Sequence, residues 1–331
     1  MKIHGTGVYA PGPALSHRDV MDKTGVEFDE EKVTAKLGIE RRHIAHLSGI
    51  DETTADFAEK AGRSALEDAG VDAENVGLFV VATDTPEFVS PATSILVQGR
   101  LQGGQRFSGS YDVGASCSSF VSALKGASDA LVVDPSLKYA LVIGVYNMPA
   151  YFRPDDAFGY SIFADGAGAW LIGPDEDGSE MIVSQMLTDG TQWDYVGVYA
   201  GGTRLPVTVE RLDAGEYGLQ LLQRLPGDRN VKLWPEVLNA LMAKAGMAPD
   251  EADHYLFTQI NRAVIEEVMG IIGLPMDRTT CVMDRYGYTG SGCIPMAFHH
   301  AVKEGRVKRG DTVMMMASGA GLAVSSALFR Y

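Results

Sequence analysis

Short apolar runs alternate with segments of helical periodicity along this chain of 331 residues. Four of the runs are continuously apolar and bounded by turn residues, which predicts buried strands. These runs are VGLFVVAT (76–83), YALVIGV (139–145), HYLFTQI (254–260) and TVMMMAS (312–318). Between the strands, the segment 51–70 places alanines at helical spacing and stops at Gly70. The alternation predicts an α/β protein whose sheet is mostly parallel and covered by helices.

A weak internal repeat divides the chain into two similar halves. Gly70 precedes Ala82 of one predicted strand by twelve positions, and Gly246 precedes Thr258 of another by the same number. Downstream, each half continues with a predicted strand, a turn of small residues and a helix. We therefore expect a first half over 1–175 and a second over 176–331. Because no Pro/Ser-rich linker separates them, the halves are expected to share one continuous core.

Composition and charge narrow the class of protein. Hydrophobic residues make up 46% of the chain and charged residues 21%, and the formal net charge is -15. An acidic chain is a poor partner for nucleic acid, and no apolar run approaches the ~20 residues that span a bilayer. The first residues lack the order of a secretory signal, so we expect a cytoplasmic protein. Cys117, Cys281 and Cys293 are too few and too scattered for a disulfide framework or a zinc site, and no metal is expected.

The stretch YDVGASCSSF (111–120) carries the first candidate for chemistry. It places Cys117 where a predicted strand turns into a helix, and the N-H groups of a helix start favour a thiolate. A nucleophile that accepts an acyl group fits this position. The alternative is a small buried residue in a tight turn, because free cysteines are commonly buried and inert. Local sequence leaves both interpretations open.

Three glycine-rich turns lie at related positions of the repeat. They are FADGAGAW (163–170), YTGSGCIP (288–295) and ASGAGLAV (317–324). None has the spacing of a dinucleotide-binding or Walker loop. One interpretation is that these turns allow the layers to pack closely. The other is that they line a pocket around Cys117, at the same end of the sheet, and donate backbone N-H groups to an acyl oxygen.

Taken in order, the segments GIERRHIA, VGLFVVAT, YDVGASCSSFVSAL, FADGAGAWLI, YGYTGSG and MMMASGAGLAVSSALFRY resemble the 3-oxoacyl-(acyl carrier protein) synthase III family of the thiolase superfamily. The resemblance covers nearly the whole chain. It implies a thiolase-like fold with two pseudo-symmetric halves in a five-layer α-β-α-β-α core, and a homodimer with the segment 84–91 at the interface. It also implies acyl transfer through a thioester on Cys117, with the N-H groups of Cys117 and Ala320 as donors to the acyl oxygen.

The two other catalytic residues of that family are replaced. The family's histidine stands in a PHQAN-like segment that reads FTQIN here, which places Thr258 at its position. The family's asparagine stands in a GNTS-like turn that reads GYTG, which gives Tyr288. Those family side chains stabilise the enolate formed by decarboxylation, and one oxyanion donor contributes roughly 2.7–4 kcal/mol in a hydrolase. Tyr288 either fills the site or uses its phenol to bind an acceptor.

The resemblance also indicates how a thioester donor would bind. Lys32, Lys36 and Arg41 partly match the residues that hold coenzyme A in the family, and Arg262 follows Thr258. The acidic pair Glu266 and Glu267 would repel an acidic carrier protein, which argues against docking of such a protein by the usual surface. We therefore expect a coenzyme A thioester as donor, a small-molecule acceptor and no permanently bound cofactor.

Three functions fit these residues. The first is a specialised acyltransferase of polyketide- or fatty-acid-related biosynthesis, which passes an acyl group from Cys117 to an oxygen, nitrogen or carbon nucleophile without standard decarboxylative condensation. The second is a true β-ketoacyl synthase in which Thr258 and Tyr288 reorganise the usual chemistry. The third is a catalytically silent partner or scaffold of a biosynthetic complex. Retention of Cys117 favours the first two, and replacement of the other two residues favours the first.

Overall fold

A computed structural model describes residues 1–174 and 178–331 of the chain. Within them the strands are β1 (Lys2–Tyr9), β2 (Leu15–Ser16), β3 (Arg41–Arg42), β4 (Val76–Ala82), β5 (Gly109–Val113), β6 (Tyr139–Tyr146), β7 (Gly166–Gly173), β8 (Glu180–Gln192), β9 (Val196–Gly197), β10 (Gln220–Leu221), β11 (His254–Phe257), β12 (Thr312–Gly319) and β13 (Gly321–Arg330). The expected division between residues 175 and 176 lies outside the described residues.

The helices of the same residues are α1 (His17–Thr24), α2 (Glu30–Lys32), α3 (Thr54–Ala69), α4 (Thr93–Gln102), α5 (Ser119–Val133), α6 (Ala157–Ile162), α7 (Val209–Asp213), α8 (Arg229–Lys244), α9 (Arg262–Ile271), α10 (Met283–Tyr286) and α11 (Cys293–Lys303). A π-helical segment, Val33–Leu37, continues α2. No helix in 1–174 or 178–331 is long and apolar enough to cross a membrane. Those residues also contain no group of three or more His, Cys, Asp or Glu side chains that could hold a metal ion.

Two mixed sheets form the frame of the molecule. The first has the order β1-β7-β6-β4-β5, and the second has the order β8-β13-β12-β11. Strand β4 runs parallel to β5 and β6, and β11 runs parallel to β12, whereas β7 and β13 are antiparallel to their neighbours. The expectation of a mostly parallel sheet is therefore wrong. Strand β13 returns after the single residue Ala320, a connection that only an antiparallel pair permits.

Helices cover and separate the two sheets in five layers. Helices α3 and α4 pack on the outer face of the first sheet. Helices α5 and α11 lie between the sheets, where α5 contacts β4 and β6 on one side and β8 and β13 on the other. Helix α8 packs on the outer face of the second sheet, with α9 beside it. This is the expected α-β-α-β-α arrangement, and its central layer brings the start of α5 to the middle of the molecule.

The repeat seen in the sequence corresponds to equivalent strands of the two sheets. Strands β4, β6 and β7 occupy the same places in the first sheet as β11, β12 and β13 in the second. The four strands predicted from apolar runs are confirmed as β4, β6, β11 and β12. One element differs from the prediction, because the counterpart of β5 is reduced to an isolated parallel bridge between Tyr255 and Thr279.

Local signals in the sequence set the ends of the elements that lead to the site. Helix α3 begins with a capping box between Thr53 and Asp56 and ends at Gly70, whose φ of 64° lies in the left-handed region. Strand β11 ends at Phe257, so Thr258 lies just beyond the strand rather than within it.

Candidate active site

The ends of β4, β5 and β12 and the turn before α11 surround a cavity of about 240 Å³, called the central cavity below. Its wall includes Asp84 after β4, Cys117 after β5, Tyr288 before α11 and Ala320 between β12 and β13. Strands β4 and β5 are parallel, so their carboxyl ends meet at one edge of the first sheet and bring Asp84 close to Cys117. Three of the predicted site residues, Cys117, Tyr288 and Ala320, therefore share one cavity.

Cys117 lies in a turn that is held in an uncommon backbone conformation. Among the described residues, Ser116 is the one non-glycine residue with a positive φ, which is 50°. The Ala115 N-H donates to Ser119 Oγ at 2.8 Å, and the Ser118 N-H donates to the Ala115 carbonyl at 3.1 Å. Helix α5 then begins at Ser119. The side chain of Cys117 thus lies directly before a helix start, as the sequence predicts.

The second sheet packs closely against this turn at Gly319. A Cβ atom on Gly319 would lie 2.7 Å from the Cys117 amide nitrogen and 2.8 Å from Ser116 Cβ. Contacts that short do not occur without a shift of the backbone. The glycine therefore permits strand β12 of the second sheet to approach the turn that carries Cys117.

The thiol of Cys117 is protonated at neutral pH. Its pKa is raised to about 12, chiefly by burial and secondly by the negative charge of Asp84. Hydrogen bonds with Tyr288 and Ser116 lower the pKa of the thiol without offsetting that rise. The helix start favours the thiolate, but burial outweighs it. Nucleophilic attack by Cys117 therefore requires a group that accepts the thiol proton during the reaction.

Tyr288 is buried on the cavity wall within an aromatic cluster. It is 1% exposed, and its ring lies 5.5 Å from that of Phe163 and 6.3 Å from that of Tyr146. The Tyr288 N-H donates to the Ile162 carbonyl at 3.0 Å, which fixes the backbone. Its hydroxyl makes no hydrogen bond of ordinary geometry to the described residues but interacts with the Cys117 thiol. A buried hydroxyl beside the Cys117 thiol, with no other polar partner among the described residues, is suited to contact the oxygen of a bound molecule.

Thr258 has a different environment. Its hydroxyl accepts the Ser318 N-H at 2.9 Å, and its own N-H donates to the Met316 carbonyl at 3.0 Å. It is 1% exposed and is not among the residues of the cavity wall. The threonine thus ties the end of β11 to β12, and its catalytic role remains a prediction.

The described part of the cavity wall contains no histidine. His254 shares a hydrogen bond with Thr280 at 2.8 Å, and burial lowers its pKa to about 4. His299 contacts Thr6 Oγ1 at 2.9 Å, and His300 contacts the Tyr286 hydroxyl at 3.0 Å. These partners show that the histidines near the sequence motifs are engaged outside the central cavity.

Asp84 is a wall residue that the sequence analysis missed. The residue is exposed by surface area and lines the cavity, and desolvation by the protein atoms around it raises the pKa of its carboxyl to about 6. Within 1–174 and 178–331 it is the one carboxylate on the wall, and Arg229 is the one cation. The signal was present in the sequence: Asp84 follows a buried strand that is expected to lie parallel to the strand before Cys117.

The residues predicted to hold coenzyme A lie on exposed surface. Lys32 and Lys36 are exposed at α2 and the π-helical segment, whose last residue, Leu37, is part of the cavity wall. Arg262 packs against Gly38 and pairs with Glu266 at 2.9 Å.

Arg41 is also exposed, on β3, and its charge acts on the carboxylate of Asp19. The structure brings Lys36 and Arg262 to neighbouring elements, while the contact of all four residues with a donor stays a prediction.

Comparisons with known proteins agree with this arrangement. The family described as 3-Oxoacyl-[acyl-carrier-protein (ACP)] synthase III matches residues 111–190, and its C-terminal model matches residues 242–331. Acetoacetyl CoA synthase NphT7 of Streptomyces sp. (strain CL190) is 34% identical over all of this chain and 98% of its own. A Beta-ketoacyl-[acyl-carrier-protein] synthase III of Xanthomonas campestris pv. campestris is also 34% identical, over all of this chain and 98% of its own.

The fold is shared with solved structures of the same kind. The crystal structure of 3-oxoacyl-[acyl-carrier-protein] synthase III from Aquifex aeolicus VF5 superposes with a TM-score of 0.85 and 30% identity. The match covers all of this chain and 99% of that one. The motifs, the five-layer fold and the full-length relatives lead to one conclusion: the chain belongs to the 3-oxoacyl-[acyl-carrier-protein] synthase III family and is a ketoacyl synthase III-type enzyme.

Proposed function

We propose that this enzyme forms an acyl thioester on Cys117 and passes the acyl group to an acceptor without standard decarboxylative condensation. The observation that carries the proposal is the composition of the cavity wall. Cys117 lies just before α5 and shares the wall with Tyr288, the residue that the family resemblance aligns with the asparagine, and the described part of the wall contains no histidine. We infer that the site keeps an acyl-accepting thiol and lacks the pair that in the family stabilises a malonyl-derived enolate.

The first half-reaction is acylation of the thiol. Cys117 Sγ attacks the thioester carbonyl of the donor, and the negative charge that develops on the carbonyl oxygen is stabilised by backbone N-H groups. The N-H groups of Cys117 and Ala320 are proposed for this role, and Ala320 lies on the same wall as the thiol. The leaving group is the thiol of the donor, and the product is an acyl-enzyme.

A coenzyme A thioester is proposed as the donor. Lys36 and Arg262 lie on neighbouring elements beside the cavity, and basic residues there would attract the phosphates of the donor. A coenzyme A thioester also appears in the name of one relative, acetoacetyl CoA synthase NphT7, which supports this choice of donor. Glu266 and Glu267 are exposed on α9, and their negative charges would repel an acidic carrier protein at this surface.

The second half-reaction transfers the acyl group to a small acceptor. The aromatic cluster of Tyr288, Tyr146 and Phe163 gives this end of the cavity a largely apolar wall, with the Tyr288 hydroxyl beside the Cys117 thiol. An acceptor with a flat or apolar body and an oxygen, nitrogen or carbon nucleophile fits such a wall. We place the reaction in polyketide- or fatty-acid-related biosynthesis in the cytoplasm, with the protein acting as a homodimer.

True β-ketoacyl synthesis is a second candidate, and one observation favours it. The buried Tyr288 hydroxyl has no ordinary hydrogen-bond partner among the described residues and could donate to the carbonyl oxygen of an extender thioester. The relatives named β-ketoacyl synthases carry the same expectation.

Intact-mass spectrometry tests the proposed function directly. Incubation with acetyl-, butyryl-, octanoyl- and benzoyl-CoA is expected to add the mass of one acyl group with at least one donor. Cys117→Ala should lose the adduct, while Cys281→Ala, the matched control for loss of a thiol elsewhere, should retain it. Absence of an adduct with every donor would favour a catalytically silent scaffold.

A further inference from the structure

Asp84 and Ser116 are neighbours because two parallel strands end together. Strands β4 and β5 pair in register up to Ala82 and Val113, and the Thr83 N-H donates to the Val113 carbonyl at 3.1 Å. Asp84 follows on one chain segment, and the turn with Ser116 and Cys117 follows on the other. Asp84, Ser116 and Cys117 all line the central cavity. The fold therefore sets a carboxylate beside the turn of the candidate nucleophile.

Ser116 interacts with both the thiol and the carboxylate. Its Oγ is 3.7 Å from Cys117 Sγ, within the range of a hydrogen bond to sulfur. It lines the central cavity together with Asp84, and its hydroxyl favours the charged form of the Asp84 carboxyl, which partly offsets the rise in pKa caused by burial. A serine hydroxyl has one proton to donate and lone pairs that accept. When that proton is donated to Asp84, the Ser116 oxygen is left to accept the proton of the Cys117 thiol. The backbone of Ser116 has a positive φ of 50°, which sets the direction of its side chain in this turn.

Other groups at the site are poorly suited to accept the thiol proton. Burial raises the pKa of Tyr288 and of Tyr146 well above the usual value for tyrosine. Arg229 is a cation whose charge interacts with Cys117, and Tyr151 faces Asp84 with a raised pKa. The carboxyl of Asp84, with a pKa of about 6, both accepts and returns a proton near neutral pH.

We propose that Asp84 accepts the proton of the Cys117 thiol through the Ser116 hydroxyl and returns it to the leaving group. This inference rests on the proposed formation of an acyl thioester at Cys117. It assigns to Asp84 a proton transfer for which the cavity wall offers no histidine among residues 1–174 and 178–331.

The proton transfers balance in both half-reactions. As Cys117 Sγ bonds to the donor carbonyl carbon, the thiol proton moves to Ser116 and the Ser116 proton moves to Asp84. When the bond between that carbon and the donor sulfur breaks, the proton on Asp84 is returned to the departing sulfur, which leaves as a free thiol. In transfer to an acceptor, Asp84 takes the acceptor's proton, the bond to Cys117 breaks, and the proton returns to Cys117.

A simple charge effect predicts the opposite response to loss of the carboxylate. The negative charge of Asp84 raises the pKa of the Cys117 thiol, so its removal alone makes the thiolate easier to form. Alkylation by iodoacetamide is slow enough for the thiolate to form in equilibrium with solvent, and it requires no proton donor to a leaving thiol. Alkylation and thioester acylation therefore separate a charge effect from proton transfer.

The experiment compares these two reactions in Asp84→Asn and in the wild type. The donor is whichever of acetyl-, butyryl-, octanoyl- and benzoyl-CoA acylates the wild type fastest. In a single-turnover reaction with this donor, Asp84→Asn should be acylated about 10²–10⁴-fold more slowly, which is the usual contribution of general acid-base catalysis. Its alkylation by iodoacetamide should be unchanged or faster. Asp84→Glu should recover part of the acylation rate. The wild-type acylation rate should fall below about pH 6 as Asp84 is protonated, and Asp84→Asn should lack this fall.

Two variants of Ser116 test the relay itself. Ser116→Ala and Ser116→Gly both remove the hydroxyl, but only glycine adopts the positive φ without strain. Both should acylate at least about tenfold more slowly if general catalysis passes through the hydroxyl. Acylation of both at the wild-type rate would refute the relay.

The remaining outcomes are distinct. If Asp84→Asn acylates as fast as the wild type, the proton-transfer role is refuted while the acyl-enzyme stands. If Asp84→Asn loses alkylation and acylation equally, Asp84 only shapes the turn, and the inference is overturned. If no thioester acylates the wild type although iodoacetamide modifies Cys117, the proposed function fails and the inference fails with it.

Discussion

Substitution of Gly319 by alanine tests whether the contact between the two halves sets the position of the nucleophile. The added Cβ would lie 2.7 Å from the Cys117 nitrogen, 2.8 Å from Ser116 Cβ and 3.1 Å from the Ala115 carbonyl oxygen. Backbone atoms rather than flexible side-chain ends are in the way, so the turn or β12 must move by several tenths of an ångström. Overpacking of this kind costs about 1–3 kcal/mol of unfolding free energy.

The same shift displaces the thiol from its position before α5. A misplacement of about 1 Å in a reacting group costs roughly 10²-fold in rate, so a shift of several tenths of an ångström should slow acylation by roughly 10-fold. Urea unfolding followed by tryptophan fluorescence gives the loss of stability, and intact-mass kinetics give the loss of rate.

Gly270→Ala is the matched control, because it makes the same substitution in α9 where no atom lies within 4 Å of the new Cβ. It should be as stable as the wild type or more stable by up to about 1 kcal/mol, with unchanged acylation. Wild-type stability and rate in Gly319→Ala would refute the reasoning that this contact positions Cys117.

Three further predictions follow from single side chains. Burial raises the pKa of Asp165 to about 8, so the folded protein holds a proton that the unfolded chain loses near pH 4. The free energy of unfolding therefore falls as pH rises from about 4 to about 8, and Asp165→Asn should stabilise the protein more at pH 8 than at pH 5 in urea unfolding. Equal effects of the substitution at the two pH values would contradict this. Thr258→Val should lower the free energy of unfolding by about 1–3 kcal/mol, because the buried Ser318 N-H loses its hydrogen-bond acceptor. Thr258→Ser keeps the acceptor and should leave the free energy of unfolding unchanged. Acylation of Cys117 should persist in both variants. Tyr288→Phe keeps the ring and removes a hydroxyl that lowers the pKa of the Cys117 thiol. The pH profile of Cys117 alkylation by iodoacetamide should therefore move to higher pH. A profile that does not move would show that the hydroxyl does not act on the thiol.

Periodicity along the chain was sufficient to predict the frame of the molecule. The apolar runs located β4, β6, β11 and β12, and the repeat anticipated that β4, β6 and β7 would correspond to β11, β12 and β13. The mixed pairing of the sheets was not predictable in this way, because the direction of a strand depends on where the chain re-enters the sheet. The bridge at Thr279 shows that an element of one half can be reduced in the other.

The candidate site was predicted only in part, since its properties arise from contacts between distant segments. Cys117 and Tyr288 were found from turns and from the family resemblance, and both lie on the cavity wall. The raised pKa of the thiol depends on burial that no local pattern reports. Asp84 was missed because a single acidic residue after a strand looks like any turn residue until β4 and β5 are paired.

The fate of malonyl-CoA tests the central claim most directly. Wild-type enzyme is first acylated on Cys117 and then mixed with malonyl-CoA that carries an isotope label in its free carboxylate. The account predicts that no labelled carbon dioxide is released and that the acyl group stays on Cys117 until an acceptor is added. Release of labelled carbon dioxide together with a 3-ketoacyl thioester would contradict it and would show that the enzyme performs decarboxylative condensation.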